Sequence, residues 1–172
     1  MAETIREEDF MRKKVFSVLV ANTSGVLNRV AALFSRRGYN IDSLTVGVTE
    51  NPEYSRMTIA VTGDDDVLEQ IEKQISKLVD VIEITELKEY DSVCRELILV
   101  KVAVSPEQRQ QVIAIADIYR AKIVDASPCS LMIELTGNQN KLDAFTELLK
   151  GYEIEQLART GITGLLRGKV NE

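Results

Sequence analysis

The pattern of apolar and polar positions predicts alternating strands and helices from about residue 14 onward. Short runs rich in β-branched and apolar residues indicate strands, and apolar residues three or four positions apart indicate amphipathic helices. Gly38 ends the first predicted helix, because glycine favours helix C-termini. In the first half, strands are predicted over residues 14–21, 39–48, 54–62 and 81–87, and helices over residues 25–37 and 64–79. Their order is βαββαβ.

The second half repeats this order of elements, without close sequence identity to the first half. Its helix start at Ser105-Pro106 is well marked, because Ser at the N-cap and Gln108 three residues later form a capping box. The second half is predicted to contain strands over residues 96–104, 122–126, 131–136 and 153–158, and helices ending near Tyr119 and Lys150, the latter capped by Asn138. The pattern predicts an α+β protein with two ferredoxin-like βαββαβ domains.

The predicted boundaries are a polar tail over residues 1–13, a first domain over residues 14–88 and a second domain over residues 95–172. A domain of about 75 residues has a marginal core, and small domains are often stabilised by association. We therefore expect a homodimer. Gly161, Gly164 and Gly168 follow the last predicted strand, so this segment is predicted to be flexible or to dock on another subunit.

Composition reduces the number of protein classes to which the chain could belong. The chain has 172 residues, 45% of them apolar, a formal net charge of −6 and a pI near 4.9. Proteins that bind nucleic acid usually carry a basic face, so the charge argues against a nucleic-acid partner. No apolar run approaches the roughly 18 residues of a membrane-spanning helix, and residues 1–14 lack the apolar core of a signal peptide. The expectation is a cytoplasmic protein with no membrane contact.

Side chains suited to catalysis or metal binding are scarce. The sequence has no histidine, which is the commonest general base near neutral pH and the commonest metal ligand. Cys94 and Cys129 are interpreted as free packing thiols. The acidic run of residues 64–66 precedes an apolar helical stripe, so it is predicted to cap a helix and not to bind metal. We predict no catalytic residue and no metal ligand.

One junction could bind a small zwitterion. A strand ends at Ala21, the chain turns, and a helix starts near Gly25, where backbone N–H groups without intrahelical acceptors could receive a carboxylate. The side chains of Asn22 and Asn40 each offer a donor and an acceptor, and three apolar residues could form a wall for a branched side chain: Val26, Leu27 and Ile41. These residue types are equally typical of ordinary turns and caps, and both interpretations remain open from the residues alone.

A family resemblance favours the first interpretation. The stretches Asn22-Thr23-Ser24-Gly25-Val26-Leu27, Arg37-Gly38-Tyr39-Asn40-Ile41, Ser55-Arg56-Met57-Thr58-Ile59, Lys141-Leu142-Asp143-Ala144-Phe145 and Arg159-Thr160-Gly161 closely resemble the small regulatory subunit of acetolactate (acetohydroxyacid) synthase. The likeness covers nearly everything after about residue 13. It implies that the first domain is an ACT domain, a module that senses small molecules.

The resemblance carries further expectations. It implies a non-catalytic subunit that dimerises through its ACT domains, activates a large catalytic subunit and confers feedback inhibition by L-valine in branched-chain amino-acid biosynthesis. The catalytic partner of this family uses thiamine diphosphate, Mg²⁺ and FAD, so no cofactor is expected in this chain. The effector site implied at the interface of two ACT domains comprises Asn22, Gly25, Val26, Leu27, Asn40 and Ile41.

Other functions on the same order of elements are weighed beside this one. An RNA-recognition domain would need stacking aromatic residues and a basic face. An acylphosphatase-like hydrolase would need an arginine in its phosphate-binding loop, and residues 22–25 contain none. A transcription regulator would need a helix-turn-helix segment, which the pattern lacks. Two alternatives stay open: first a stand-alone amino-acid sensor that regulates another enzyme, and after it the acylphosphatase-like hydrolase.

Overall fold

The computed structural model describes residues 11–168. The described residues divide into two compact units, the first of residues 11–93 with 164–168 and the second of residues 94–163. Most of the predicted polar tail of residues 1–13 lies outside the described residues. Arg12 and Lys13 already belong to the first strand, so this part of the tail prediction is wrong. Both units are built from strands and helices in the order βαββαβ, which confirms the predicted fold class.

The first unit is a four-stranded antiparallel sheet with two helices. Its elements are β1 (Arg12–Ala21), α1 (Val26–Arg37), β2 (Ser43–Val48), β3 (Tyr54–Gly63), α2 (Asp65–Ile75) and β4 (Val81–Glu86). The strand order is β2-β3-β1-β4, so β2 and β4 are the edges of the sheet. Alternate residues of β1 and β3 bury their side chains against the helices.

The register of the first sheet defines two ends that matter for the site. At the Ala21 end, Ala21 pairs with Tyr54, and at the Gly63 end, Arg12 pairs with Gly63. Strand β2 starts toward the Gly63 end, where Ser43 pairs with Ala60, and finishes toward the Ala21 end, where its last residue pairs with Ser55. Helix α1 therefore starts at the Ala21 end and returns the chain to the other end.

The second unit has the same architecture. Its elements are β5 (Ser92–Ala103), α3 (Pro106–Ile118), β6 (Lys122–Ala126), β7 (Ser130–Gly137), α4 (Gln139–Leu149) and β8 (Glu153–Arg159). The last strand of the chain, β9 (Thr163–Leu166), consists mostly of residues that belong to the first unit. The strand order is β6-β7-β5-β8. Phe145 on α4 is fully buried and meets Tyr119 edge to face, with ring centroids 5.4 Å apart.

Side-chain caps place the starts of three helices where the sequence predicts them. Asp64, Ser105 and Asn138 each accept a hydrogen bond from a backbone N–H of the first turn, and Gln108 completes the capping box of Ser105. The interpretation of the acidic run as a cap is thus confirmed. Gly38 adopts a left-handed conformation, with φ of 70°, and ends α1 as predicted.

Three predicted boundaries are wrong, among them the start of β5, which is Ser92 and not residue 96, and one of the two alternatives for the segment after Gly161 fails. Strand β2 begins at Ser43 and not at residue 39, because the chain is still turning after Gly38. The first backbone hydrogen bond to β3 comes from Asp42 N–H, which donates to Ala60 O at 2.9 Å. Helix α2 ends at Ile75, four residues early, in a series of turns. The segment after Gly161 is not flexible throughout, since residues 163–166 form β9.

Three further findings bear on the possible classes of function. None of the helices within residues 11–168 is long and apolar enough to span a membrane. Neither cysteine is in a disulfide, but Cys129 is exposed, so its predicted role as a packing residue is wrong. Among these same residues, no group of three or more His, Cys, Asp or Glu side chains is arranged to hold a metal ion.

Candidate functional site

The start of α1 is the centre of the candidate site. Gly25 is the N-cap and has a φ of 85°, a left-handed conformation that strongly favours glycine. Its carbonyl accepts the N–H of Arg29 at 3.0 Å, which closes the first helical turn. No side chain caps this end, and the first turn contains no acidic residue. Because these first N–H groups have no acceptor within the helix, they are available to an external carboxylate.

This open start distinguishes α1 from the other helices in residues 11–168. The starts of α2, α3 and α4 each have a side-chain oxygen of the N-cap residue bonded to a backbone N–H. In α2 this bond joins Val67 N–H to Asp64 Oδ1 over 2.7 Å. An internal acceptor and an external anion compete for the same N–H groups, so only the start of α1 offers a full set of them.

Asn22 shapes the loop that leads to this helix. Its side-chain amide nitrogen donates to the carbonyl of Pro52 at 2.8 Å, and its side-chain oxygen accepts from Ser55 Oγ at 3.1 Å. Its backbone N–H donates to Glu53 O at 2.7 Å. Asn22 thus ties the β1–α1 loop to the start of β3. One amide hydrogen and one oxygen lone pair remain for a ligand.

The three apolar candidates lie in different environments. Val26 is only 3% exposed and packs into the core of the first unit, so it supports the helix from below. Ile41 is partly buried and packs against the same core. Leu27 is 44% exposed, and it is the one of the three that presents most of its apolar surface to solvent next to the open helix start.

Asn40 and Ile41 lie far from the other candidates within one chain. They precede Ser43, which pairs with Ala60, whereas Asn22 follows Ala21, which pairs with Tyr54. The six residues that separate Tyr54 from Ala60 along β3 correspond to about 20 Å at about 3.3 Å per residue. A single chain therefore brings Asn22, Gly25 and Leu27 to one end of the sheet and Asn40 with Ile41 toward the other.

Two charged residues that the sequence did not single out belong to the helix start. Arg29 donates from Nε to Asp80 Oδ2 at 2.5 Å and from Nη2 to Asp80 Oδ1 at 3.0 Å. The carbonyl of Asp80 also accepts the N–H of Ala21 at 2.9 Å. This hydrogen bond from Arg29 lowers the pKa of the Asp80 carboxyl and raises that of the Arg29 guanidinium. The pair joins α1 to the loop before β4.

The guanidinium of Arg29 lies against the glycine of the cap. A Cβ atom added to Gly25 would be 2.9 Å from Arg29 Nη1. Glycine at this position therefore satisfies two requirements, the left-handed backbone and the close approach of Arg29. The position of Arg29, one turn after Gly25, is a signal that the sequence contains. Asp80 is 51 residues further along the chain, so only the fold reveals the pair.

Taken together, these groups can bind an anion of carboxylate size. The first-turn N–H groups, the partial positive charge of the helix start and the guanidinium of Arg29 all favour a negative charge beside Gly25. The chemistry that these residues support is recognition of a small molecule.

Comparisons with known families agree along most of the chain. The family model for the AHAS small subunit-like ACT domain matches residues 16–83. The model for the small subunit of acetolactate synthase matches residues 95–168. The two matches correspond to the two βαββαβ halves of the sequence.

Individual relatives cover nearly the whole chain. A probable acetolactate synthase small subunit from Archaeoglobus fulgidus is 51% identical over 156 residues, which are 91% of this chain and 98% of that protein. The small subunit of acetolactate synthase isozyme 3 from Escherichia coli is 47% identical over 157 residues, 91% of this chain and 96% of that protein. The crystal structure of the acetolactate synthase small subunit from Thermotoga maritima superposes with a TM-score of 0.84 at 44% identity, over 92% of this chain and 99% of that one. The chain belongs to the family of acetolactate synthase regulatory small subunits, and its first unit is an ACT domain.

Proposed function

We propose that this chain works in the cytoplasm as the regulatory partner of a catalytic acetolactate synthase subunit, which it activates and through which it confers feedback inhibition by L-valine. The observation that carries the proposal is the start of α1, where Gly25 replaces a capping side chain and leaves the first-turn N–H groups open. Family membership supports the catalytic partner. The thiamine diphosphate, Mg²⁺ and FAD expected for the reaction belong to that partner.

A branched aliphatic amino acid fits the groups at this position. Its carboxylate would accept hydrogen bonds from the first-turn N–H groups of α1, and charge-assisted bonds of this kind contribute about 1.5–3 kcal/mol each. Its ammonium group would donate to the side-chain oxygen of Asn22 or Asn40. Its side chain would contact Leu27, which is exposed beside the helix start.

The candidate residues form two half-sites in each chain, Asn22 with Gly25 and Leu27 at one end of the sheet and Asn40 with Ile41 toward the other. Their separation supports a complete site formed by two chains. Strand β2 is an edge of the first sheet, and its Val46 and Val48 are 46% and 62% exposed. Antiparallel pairing of two β2 edges around a two-fold axis would continue the sheet and keep all helices on one face. It would also bring Asn40 of the partner subunit toward the Ala21 end of this chain. A symmetric dimer would then hold two equivalent sites.

Inhibition requires a difference in affinity between two states. L-valine must bind the low-activity state of the complex more tightly than the active state, and the coupling acts equally in both directions. A typical coupling of about 1–3 kcal/mol changes an affinity about 5- to 150-fold. The catalytic subunit should therefore alter the affinity for L-valine by the same factor as L-valine alters the association of the two subunits.

Titration calorimetry of the isolated protein with L-valine tests the proposed effector, with D-valine and L-aspartate as controls. Saturable binding of L-valine alone is the expected result, because the site combines a carboxylate subsite with an apolar wall and a fixed handedness. Absence of L-valine binding both to the isolated protein and to its complex with the catalytic subunit would overturn the proposal. Binding only in the complex would mean that the site is complete only when the catalytic subunit is bound.

Mixed dimers test whether two chains form each site. Chains carrying Gly25→Asp and chains carrying Asn40→Ala are each expected to bind L-valine poorly as homodimers. In a mixed dimer, both substitutions fall in one site and the other site is intact, so a purified mixed dimer should regain about half of the wild-type stoichiometry and a freely exchanging equal mixture about a quarter. If the mixture binds no better than its components, the two half-sites do not combine across chains.

A further inference from the structure

We infer that Arg29 is a specificity-determining residue of the effector site: its Nη1 group binds the effector carboxylate, and Asp80 holds the guanidinium in position. This inference rests on the proposed function, because it assigns a residue to the same site. It goes beyond the helix-start mechanism, since it adds a charged side chain to a site otherwise made of backbone N–H groups and side-chain amides.

The hydrogen bonds of Arg29 leave one side of its guanidinium unused. Asp80 occupies Nε and Nη2 through both of its carboxylate oxygens. Within residues 11–168, no acceptor contacts Nη1. That nitrogen lies 2.9 Å from the position of a Cβ on Gly25, so its N–H groups are beside the open start of α1. An anion bound to the first-turn N–H groups would therefore be next to two further donors.

A second arginine of the same chain shows how such a guanidinium is completed. Arg159 donates from Nε and Nη2 to the carboxylate of Glu96, at 3.0 and 2.7 Å. Its Nη1 donates to a second carboxylate, that of Asp143, at 2.8 Å. Arg29 has the first of these two partners and lacks the second. The position filled by Asp143 around Arg159 corresponds to the position that the effector carboxylate would fill around Arg29.

Exposure and charge agree with this role. The Asp80 side chain is 14% exposed and the Arg29 side chain is 47% exposed, so Asp80 is the fixed partner and the far side of Arg29 is accessible. The first turn of α1 contains no acidic residue that could compete for Nη1. Because Arg remains charged at all physiological pH values, the subsite selects a carboxylate over a neutral amide of the same shape.

Comparison of L-valine with L-valinamide isolates this selectivity. L-Valinamide keeps the side chain and the α-amino group and replaces the carboxylate with a neutral carboxamide. We expect Arg29→Gln to weaken L-valine binding at least about tenfold, the loss of one charge-assisted interaction, and to change L-valinamide binding much less. The ratio of the two dissociation constants should fall accordingly. Arg36→Gln, an exposed arginine in the last turn of the same helix, is the matched control and should keep the wild-type ratio.

The outcomes separate this inference from the proposed function. If the wild-type protein binds no L-valine, with or without the catalytic subunit, the proposed function itself fails. If the wild-type protein binds L-valine and Arg29→Gln leaves both ligands unchanged or weakens both equally, Arg29 is only structural and the inference is overturned. Should Arg29→Gln fail to fold, Arg29→Met provides the same comparison: it keeps an unbranched apolar stem of similar length, removes the charge and should likewise lower the ratio.

Discussion

The first strand of each unit leads into a helix, and the two junctions are completed in opposite ways. In the second unit, Ser105 and Gln108 bond reciprocally to the backbone and fill the helix start. In the first unit, Gly25 leaves the equivalent start open. The same contrast holds for Arg159 and Arg29, of which only Arg159 has a second carboxylate on its Nη1. The same fold therefore has a capped helix start in one unit and an uncapped candidate binding site in the other, and a few side chains make the difference.

Filling the open start of α1 with a side chain of the protein itself should have the largest effect on L-valine affinity. Gly25→Asp places a carboxylate beside Arg29 and the first-turn N–H groups, where the effector carboxylate is expected, and we predict at least about a 100-fold loss of L-valine affinity, as for the loss of two charge-assisted bonds. Calorimetry on the variant measures the loss. Gly38→Asp is the control, because Gly38 is also left-handed and a Cβ there meets nothing within 4 Å. Equal L-valine affinity in both variants would contradict the site.

Removing one carboxylate partner of Arg159 in the second unit should lower the stability of the protein without changing its affinity for L-valine. Glu96→Ala removes a carboxylate whose side chain is 7% exposed and leaves Arg159 with Asp143 alone. Breaking a buried pair in this way lowers the free energy of unfolding by about 3 kcal/mol. Urea denaturation gives the loss, and the Kd for L-valine should not change. A variant as stable as wild type would show that this pair contributes no net stability.

Removing the cap of the second unit should have a smaller effect. Ser105→Ala deletes the acceptor of Gln108 N–H, and loss of such a cap lowers the free energy of unfolding by about 1 kcal/mol. The measurement is the shift in the thermal or urea midpoint. We expect no gain of L-valine binding in the second unit, because Arg109, the arginine one turn after Ser105, already donates its Nη2 to the carbonyls of Ser127 and Pro128. A second binding event would refute the comparison.

The smallest effect concerns pH. Arg29 lowers the pKa of Asp80, so the ionised carboxylate stabilises the folded state above the ordinary Asp pKa of about 3.9 and this contribution is lost as the pH falls below about 4. Asp80→Asn should therefore be less stable than wild type at pH 7, and the difference should shrink at pH 3. Urea midpoints at the two pH values provide the test. A difference that is constant with pH would mean that the charge of Asp80 contributes nothing.

Local signals predicted most of the fold. Cap residues such as Asp64, Ser105 and Asn138 act on backbone groups three residues away, so the sequence contains the whole interaction. Strand β9 was missed because it has only four residues and includes Gly164, which weakens any strand signal. The early start predicted for β2 ignored the turn that Gly38 imposes. These errors arise where pairing partners distant in sequence decide the outcome.

The site was less accessible to prediction than the fold. The open start at Gly25 follows from local residues, and its role in binding an effector stays a prediction. The partnership of Arg29 with Asp80 joins residues 51 positions apart, and no pattern along the chain indicates it. The separation of Asn22 from Asn40 depends on the register of three strands, which apolar periodicity does not provide. Long-range geometry is therefore the part that the structure supplies.

The position of the half-sites at opposite ends of one sheet affects the concentration of L-valine that is needed for half-saturation. If effector binding needs two chains, L-valine and dimerisation stabilise each other by mass action. A dilute preparation would then need more L-valine for half-saturation than a concentrated one, and the apparent threshold would depend on how much of the protein is present. The abundance of the regulator would thus set the amino-acid level at which a cell begins to respond.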